Sequence, residues 1–262
     1  RPTDLLEDSK HRVLMTLIYI NGLIFVTSAG LGYFLAGRTL KPIEEMVEEQ
    51  NRFIADASHE LKTPLTSLKT AFEVYLRDKN GTLPDAKMII TESITEVNKL
   101  QFLSESLLKL ARLKKPISNF IPIPFNTIIQ EVVKKLTPLA KEKNLKIITH
   151  VGKMEINGDK NNLAELVTIL LDNAIKYSPK GKEVIINLQN NVLTIKDQGM
   201  GIDQKDMPHI FERFYRAQKS RTNNGFGVGL AIAKDIVRAH NGEITAESQD
   251  GIGTIFTVTF HA

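Results

Sequence analysis

From Val13 to Gly37 the chain runs for 25 residues without a charged side chain, between Arg12 and Arg38. As a helix rising about 1.5 Å per residue this run reaches about 37 Å, enough to cross a hydrocarbon core of about 30 Å with some tilt. A buried core helix rarely stays free of charge over that length, and the apolar part of a cleaved signal peptide is shorter. The run therefore predicts one transmembrane helix over residues 13–37, with residues 1–12 on one side of it and the rest of the chain on the other. Charge does not orient it, because Arg1, Lys10 and Arg12 roughly balance Arg38 and Lys41. The chain opens on Arg1 rather than Met, so further residues are expected upstream.

At 262 residues, 42% hydrophobic and 24% charged, the chain has room for two globular units, or one plus an anchor, of ordinary surface polarity. A net charge of +4 is spread over interspersed acids and bases. No basic stripe results, which argues against direct nucleic-acid binding. Cysteine is absent, and with it disulfides, thiolate metal sites and cysteine nucleophiles.

Between Lys41 and Lys79, Ala57, Leu61, Leu65, Leu68 and Phe72 recur every three or four residues and so stack on one helical face. The segment Lys79-Asn-Gly-Thr-Leu-Pro-Asp85 carries turn residues. A second helical stretch then runs to about Leu113, with Leu100, Leu103, Leu107 and Leu110 in heptad-like spacing. A lone hairpin cannot cover both stripes, so a second copy is expected to complete a four-helix bundle. Pro116, Pro122 and Pro124 mark residues 114–124 as a linker. Beyond Phe125 the texture alternates: helix 125–142, strand 146–151, helix 160–177, strands 184–188 and 192–196, helix 227–240 and a closing strand pair. Strands joined by short turns predict an α+β domain, a mixed sheet with helices on one face.

His59 lies about 160° around its helix from the centre of the apolar stripe, which points its imidazole to solvent. Glu60 follows as a candidate partner for its Nδ1 proton, the arrangement of a base-activated nucleophile. Thr63 sits one turn on, and Pro64 removes a backbone donor beside the histidine. Downstream, Asp197-Gln-Gly-Met-Gly201 places an acid and two glycines after a strand, suited to accepting a hydrogen bond from the amino group of a base. Gly225-Phe-Gly-Val-Gly229 precedes a helix and offers bare amides to phosphate oxygens. Gly251-Ile-Gly253-Thr254 is a third such turn. None of these fits a Walker loop or the dinucleotide fingerprint. Before them, Glu165, Asn173 and Lys176 share a helical face; the Asn173 amide oxygen suits magnesium, Lys176 suits phosphate, and Tyr177 suits a purine ring.

Together these segments resemble the bacterial sensor histidine kinases over residues 53–262. Phe53-Ile-Ala-Asp-Ala-Ser-His-Glu-Leu-Lys-Thr-Pro-Leu65 resembles the family's H box and Asp172-Asn-Ala-Ile-Lys-Tyr-Ser-Pro179 its N box. Asp197 to Gly201 resembles the first glycine box, Phe211-Glu-Arg-Phe-Tyr-Arg216 the F box, and Gly225 to Gly229 the second glycine box. The resemblance implies that His59 is the phosphoacceptor, Glu60 its acid/base partner, and Thr63 a water-orienting residue in a phosphatase reaction. It implies an ATP site in which Asp197 reads adenine, Tyr177 packs on the ring, Asn173 holds Mg2+, and Lys176 and Arg216 approach the phosphates. Gly199, Gly201, Gly225, Gly227, Gly229, Leu230 and Thr254 complete that site, and residues 203–224 form its lid.

The implied architecture is multidomain: one transmembrane helix, an all-α helical hairpin forming a dimeric four-helix bundle, and an α+β two-layer sandwich for ATP. The expected boundaries are 1–12 extracytoplasmic, 13–37 transmembrane, 38–52 juxtamembrane, 53–113 dimerisation and phosphotransfer, 114–124 linker and 125–262 catalytic. The expected partners are a second copy and a response-regulator receiver domain, with the protein anchored in a bacterial plasma membrane and its catalytic part cytoplasmic.

The chain departs from the family pattern in two places. Ile169 stands where many members have Asn, one turn before Asn173. Arg38-Thr-Leu-Lys-Pro-Ile43 resembles the opening of a HAMP relay module, but the H box begins at Phe53, leaving no room for a complete one. The alternatives are a non-catalytic nucleotide-binding scaffold, which Ile169 would favour, and an enzyme that mainly dephosphorylates its partner.

Overall fold

The computed structural model describes residues 2–78, 81–113, 120–217 and 225–261; of 2–9, 45 and 49 only the backbone is described. The expected linker residues 114–119, Lys79 and Asn80 of the interhelical turn, and lid residues 218–224 lie outside the described residues. The chain divides into two compact units, Arg1–Asp56 and Ala57–Ala262.

Helix α1 (Pro2–Arg77) supplies the described part of the first unit and opens the second. It is the one described helix long and apolar enough to cross a membrane. Its apolar side chains from Val13 to Leu35 are exposed, Phe25 at 75% and Tyr33 at 86%. Thr16 and Thr27 return their hydroxyls to carbonyls one turn back, so these two hydroxyls are satisfied within the helix.

In the second unit α1 continues through Pro64, which is buried, while Ala57, Leu61, Leu68 and Ala71 are half-buried. Leu65 and Phe72, expected on the covered stripe, are instead 55% and 45% exposed. One residue turns the helix by about 100°, so the buried Pro64 and the exposed Leu65 lie on different faces. Helix α2 (Leu83–Leu113) starts on a reciprocal cap. The Thr82 amide and hydroxyl donate to Asp85 Oδ2 at 3.0 and 2.5 Å, and the Asp85 amide approaches Thr82 Oγ1 at 3.4 Å. These bonds hold the Asp85 carboxyl below its ordinary pKa. Leu103 and Leu110 of the expected heptad stripe are buried.

The remaining elements are β1 (Ile121–Pro124), α3 (Phe125–Glu142), β2 (Lys146–Val151), β3 (Glu155–Gly158), α4 (Lys160–Tyr177), β4 (Glu183–Gln189), β5 (Val192–Lys196), a 3-10 turn (Met207–His209), α5 (Gly229–Ala239), β6 (Gly242–Gln249) and β7 (Gly253–Phe260). Five strands form a sheet in the order β2-β4-β5-β7-β6, parallel only between β2 and β4. Along β4, β5 and β7 alternate residues are fully buried, among them Ile186, Leu193 and Val258. That face carries α3, α4 and α5, whose Ile129, Leu166, Leu170 and Ile236 are 0% exposed. Two layers result, as the period-2 and period-3.6 patterns require.

Two strands are absent from the sequence reading. β1 lies within the expected linker and pairs antiparallel with β3, Ile123 opposite Ile156. Its prolines 122 and 124 alternate with isoleucines, so each missing N–H falls on the edge away from the partner. Phe125, next in phase with the isoleucines, donates to the Met154 carbonyl at 2.9 Å. Prolines thus permit an edge strand where they forbid a helix.

Behind this ribbon His240 is 5% exposed. Its Nδ1 donates to the Ile236 carbonyl at 2.8 Å, and its Nε2 accepts the Asp159 amide at 3.1 Å; Phe120 stacks on the ring at 5.0 Å. Both nitrogens are committed to the neutral tautomer, and burial lowers the pKa of His240, offset in part by the Ile236 bond and the Asp159 charge. Between its ordinary value near 6.5 and the lower folded value, the unfolded chain binds the extra proton. Stability from this site is therefore full above about pH 6.5 and falls as the pH drops below it. Thermal unfolding of His240→Gln should show a shallower acid dependence than the parent; an identical slope would remove His240 from this role.

Candidate functional site

A cavity of about 270 Å³ opens between α4, the turn after β5, the segment before α5 and β7. Asn173, Lys176 and Tyr177 reach it from the last two turns of α4. That helix begins on an Asp159 cap, whose carboxylate accepts the Asn162 amide at 2.8 Å. It ends with Lys143 Nζ donating to the Ile175 and Lys176 carbonyls at 3.0 and 2.7 Å, a cation on orphan acceptors at a helix C-terminus.

Asp197 follows β5 and is 4% exposed. Its Oδ1 accepts the Gly199 amide at 2.7 Å and the Thr254 amide at 3.1 Å, while its own amide donates to the Thr254 carbonyl at 2.9 Å. Burial raises the Asp197 pKa and these two bonds oppose the rise. Oδ2 makes no hydrogen bond among the described residues, which leaves an acceptor for a donor on a ligand. Gly201 adopts φ +71° as the chain passes Gln249, and a Cβ there would stand 2.1 Å from the Gln249 carbonyl oxygen; only glycine fits.

On the opposite side, Gly225, Gly227, Gly229 and Leu230 line the cavity where α5 begins. Gly227 has φ +69°, with the Tyr215 carbonyl 2.4 Å from where a Cβ would be, so the glycine segment is pressed against the end of the F-box-like segment. That segment is tied down by Arg213 to Asp235 at 3.2 Å and by the Tyr215 hydroxyl donating to Asp206 at 2.7 Å. Arg216 and Lys176 both line the cavity. Burial lowers the Lys176 pKa, Asp172 opposes this, and Arg216 adds to it. Asp172 is shifted upward by burial against the pull of Lys176 and Lys143. Lys176 and Arg216 thus put two cations in the same cavity wall as the glycine segment before α5, a setting that favours an anion.

The structure thus brings together Asn173, Lys176, Tyr177, Asp197, Gly201, Arg216, Gly225, Gly227, Gly229, Leu230 and Thr254, with Gly199 bonded to Asp197 just outside the lining. His59, Glu60 and Thr63 do not line this cavity. His59 is exposed on α1, Glu60 is half-buried, and the Thr63 hydroxyl donates to the His59 carbonyl at 3.2 Å. Ile169 is in the wall one turn before Asn173, as its spacing requires. Glu165, a candidate on that face, turns away and pairs with Lys109 of α2.

The sequence reading missed Phe102, which reaches the cavity from α2, and Asp172, Met200 and Phe226, which also line it. Asp172 was visible as an acid next to Asn173. Phe102 had no signal, because it falls beside the leucine stripe of α2 rather than on it.

Two known families match parts of the chain. Residues 49–116 match the His Kinase A (phospho-acceptor) domain, and residues 158–262 match the Histidine kinase-, DNA gyrase B-, and HSP90-like ATPase. The sensor protein CiaH of Streptococcus pneumoniae is 32% identical over 264 residues, covering 98% of this chain and 59% of that protein. The chain belongs to the two-component sensor histidine kinases. The sensor histidine kinase WalK of Bacillus subtilis is 31% identical over 234 residues, 82% of this chain and 37% of that protein. The chain therefore spans little more than half the length of CiaH and less of WalK. The solved structure of the Acinetobacter baumannii histidine kinase AdeS overlays with a TM-score of 0.62 at 24% identity, covering 77% of this chain and 96% of that one, which shows a shared fold. The residues that line the cavity all fall within the matched segments, and the ATPase match implies that the chain binds ATP.

Proposed function

We propose that the chain phosphorylates its own His59 from Mg-ATP and passes the phosphoryl group to an aspartate on a response-regulator receiver domain. The observation that carries this reading is the pairing of a solvent-exposed His59 with a separate cavity lined by Asp197, by Lys176 and Arg216, and by Gly225, Gly227 and Gly229. ATP supplies the phosphoryl group, and magnesium neutralises phosphate charge. Asp197 Oδ2 accepts from the base amino group and Tyr177 flanks the ring. Lys176 and Arg216 orient the phosphates. Asn173, with Asp172 beside it, suits a magnesium ion that keeps most of its waters and phosphate oxygens, since that ion needs only one or two protein ligands. Glu60 takes the Nδ1 proton so that His59 Nε2 keeps its lone pair for attack.

Thr63 is next to the reacting histidine and is the residue we assign to orienting water when the same protein dephosphorylates its regulator. Leu65 and Phe72 of α1 and Ile90, Ile94 and Val97 of α2 are exposed apolar side chains that a second copy would cover in a four-helix bundle. Residues 13–37 anchor the protein in a bacterial plasma membrane, and residues 38–262 face the ATP of the cytoplasm.

Incubating the purified chain with γ-labelled ATP and magnesium tests the reading: the label should become protein-bound, stable to base and lost in acid. Retained ATP binding without any label would instead favour a nucleotide-dependent scaffold, the reading that Ile169 supports by placing a hydrocarbon beside the cation position. Ile169→Asn should lower the magnesium concentration for half-maximal labelling by roughly three- to tenfold. An unchanged magnesium dependence would show that position 169 does not serve the cation.

A further inference from the structure

The corner of the cavity around Asp197 holds a second hydroxyl arrangement that the motifs do not mark. Ser248, half-buried on the edge strand β6 and paired in register with Thr254 of β7, has three polar neighbours. The Ile202 amide is 2.8 Å from its Oγ, the Gly253 carbonyl 2.9 Å and the Thr254 hydroxyl 2.9 Å. Ile202 follows the first glycine turn and Gly253 belongs to the last, so one side chain joins two backbone turns beside Asp197.

We infer that Ser248 fixes the direction of the Thr254 hydroxyl and thereby makes this corner of the cavity a pair of acceptors, selecting a nucleobase with a 6-amino group over one with a 6-carbonyl. The inference rests on the ATP-site reading above and adds its specificity determinant. An amide N–H can only donate and a carbonyl can only accept. Ser248 has one proton, so all three contacts are made only when that proton goes to Gly253 and its lone pairs receive Ile202 and Thr254. Thr254 must then spend its proton on Ser248. What Thr254 has left for the cavity it lines is lone pairs. Beside it Asp197 has committed Oδ1 to two backbone amides and keeps Oδ2 as an acceptor. An adenine amino group meets acceptors there. A hypoxanthine or guanine carbonyl meets oxygen against oxygen at these two groups. Ser248 is thus a positioning residue, acting through Thr254.

The test is equilibrium binding of ATP and of inosine triphosphate, with magnesium, to the full chain in detergent. The parent should prefer ATP. Ser248→Ala frees the Thr254 proton to turn toward a 6-carbonyl, and should narrow the preference by roughly tenfold, about the worth of one hydrogen bond. Ser248→Thr, which keeps the hydroxyl, should restore it. Thr254→Val removes the hydroxyl that Ser248 directs and should narrow the preference as well, with no further narrowing when Ser248→Ala is added. Equal loss of affinity for both nucleotides in Ser248→Ala, or an unchanged ratio, overturns the inference while leaving the ATP site standing. Should Ser248→Ala not fold, an unchanged ratio in Thr254→Val overturns it alone. A parent that binds neither nucleotide overturns the ATP site and the inference together.

Discussion

Replacing His59 by glutamine is expected to abolish acid-labile labelling from γ-labelled ATP, a loss of at least roughly a thousandfold, while ATP affinity stays within about twofold of the parent. The size follows from chemistry: no other group near His59 on α1 offers an uncharged nitrogen lone pair, and glutamine's amide nitrogen has its pair delocalised. The selectivity follows from geometry, because His59 is exposed on α1 and does not line the nucleotide cavity. Folding should be nearly indifferent to the change, since the His59 carbonyl that receives the Thr63 hydroxyl is backbone and remains. Phosphate release on acid hydrolysis and ATP binding by calorimetry are the two measurements. Label persisting in His59→Gln would move the acceptor to another residue.

The second large effect is expected at Asp197. Asp197→Ala would leave the Gly199 and Thr254 amides buried without an acceptor, at about 1–3 kcal/mol each, so that lost binding could not be told from lost structure. Asp197→Asn separates the two. Its side-chain oxygen can keep both backbone bonds, and its NH2 replaces the acceptor that meets the base. Donor then faces donor, and ATP affinity should fall about 100-fold or more with a melting temperature close to the parent's. The same amide can donate to a 6-carbonyl, so inosine triphosphate should lose far less. A comparable loss for both nucleotides would mean that Asp197 acts on the turn and not on the base.

Much of this site was legible because it is built from local segments. A glycine at a positive φ, such as Gly201 or Gly227, is required by a turn of a few residues and shows in the sequence as that turn. Asn173, Lys176 and Tyr177 lie within five residues on one helix, so their grouping follows from the helical period alone. The bounds of α3 and α4 were legible as helical stretches in the alternating pattern, and the structure adds Pro124 and the Asp159 cap at their starts. What escaped depends on partners distant in the chain. β1 was hidden because its prolines are compatible with a strand only when β3 lies on their other edge. Glu165 shared a helical face with Asn173, yet it pairs with Lys109 from α2 rather than joining the cavity.

The amino-acid sequence by itself determined the apolar span, the exposed helical phase of the proposed acceptor His59, and the glycine turns, since each is set by backbone rules acting over a turn or two. Only the tertiary structure decided which of these share a cavity, that Leu65 and Phe72 stay uncovered by the single chain, and that Ser248, Thr254 and Asp197 form one hydrogen-bonded corner. Those outcomes depend on strand register and on how many hydrogen bonds a buried oxygen can make, and both are fixed by residues some fifty positions apart brought to 2.8 and 3.1 Å.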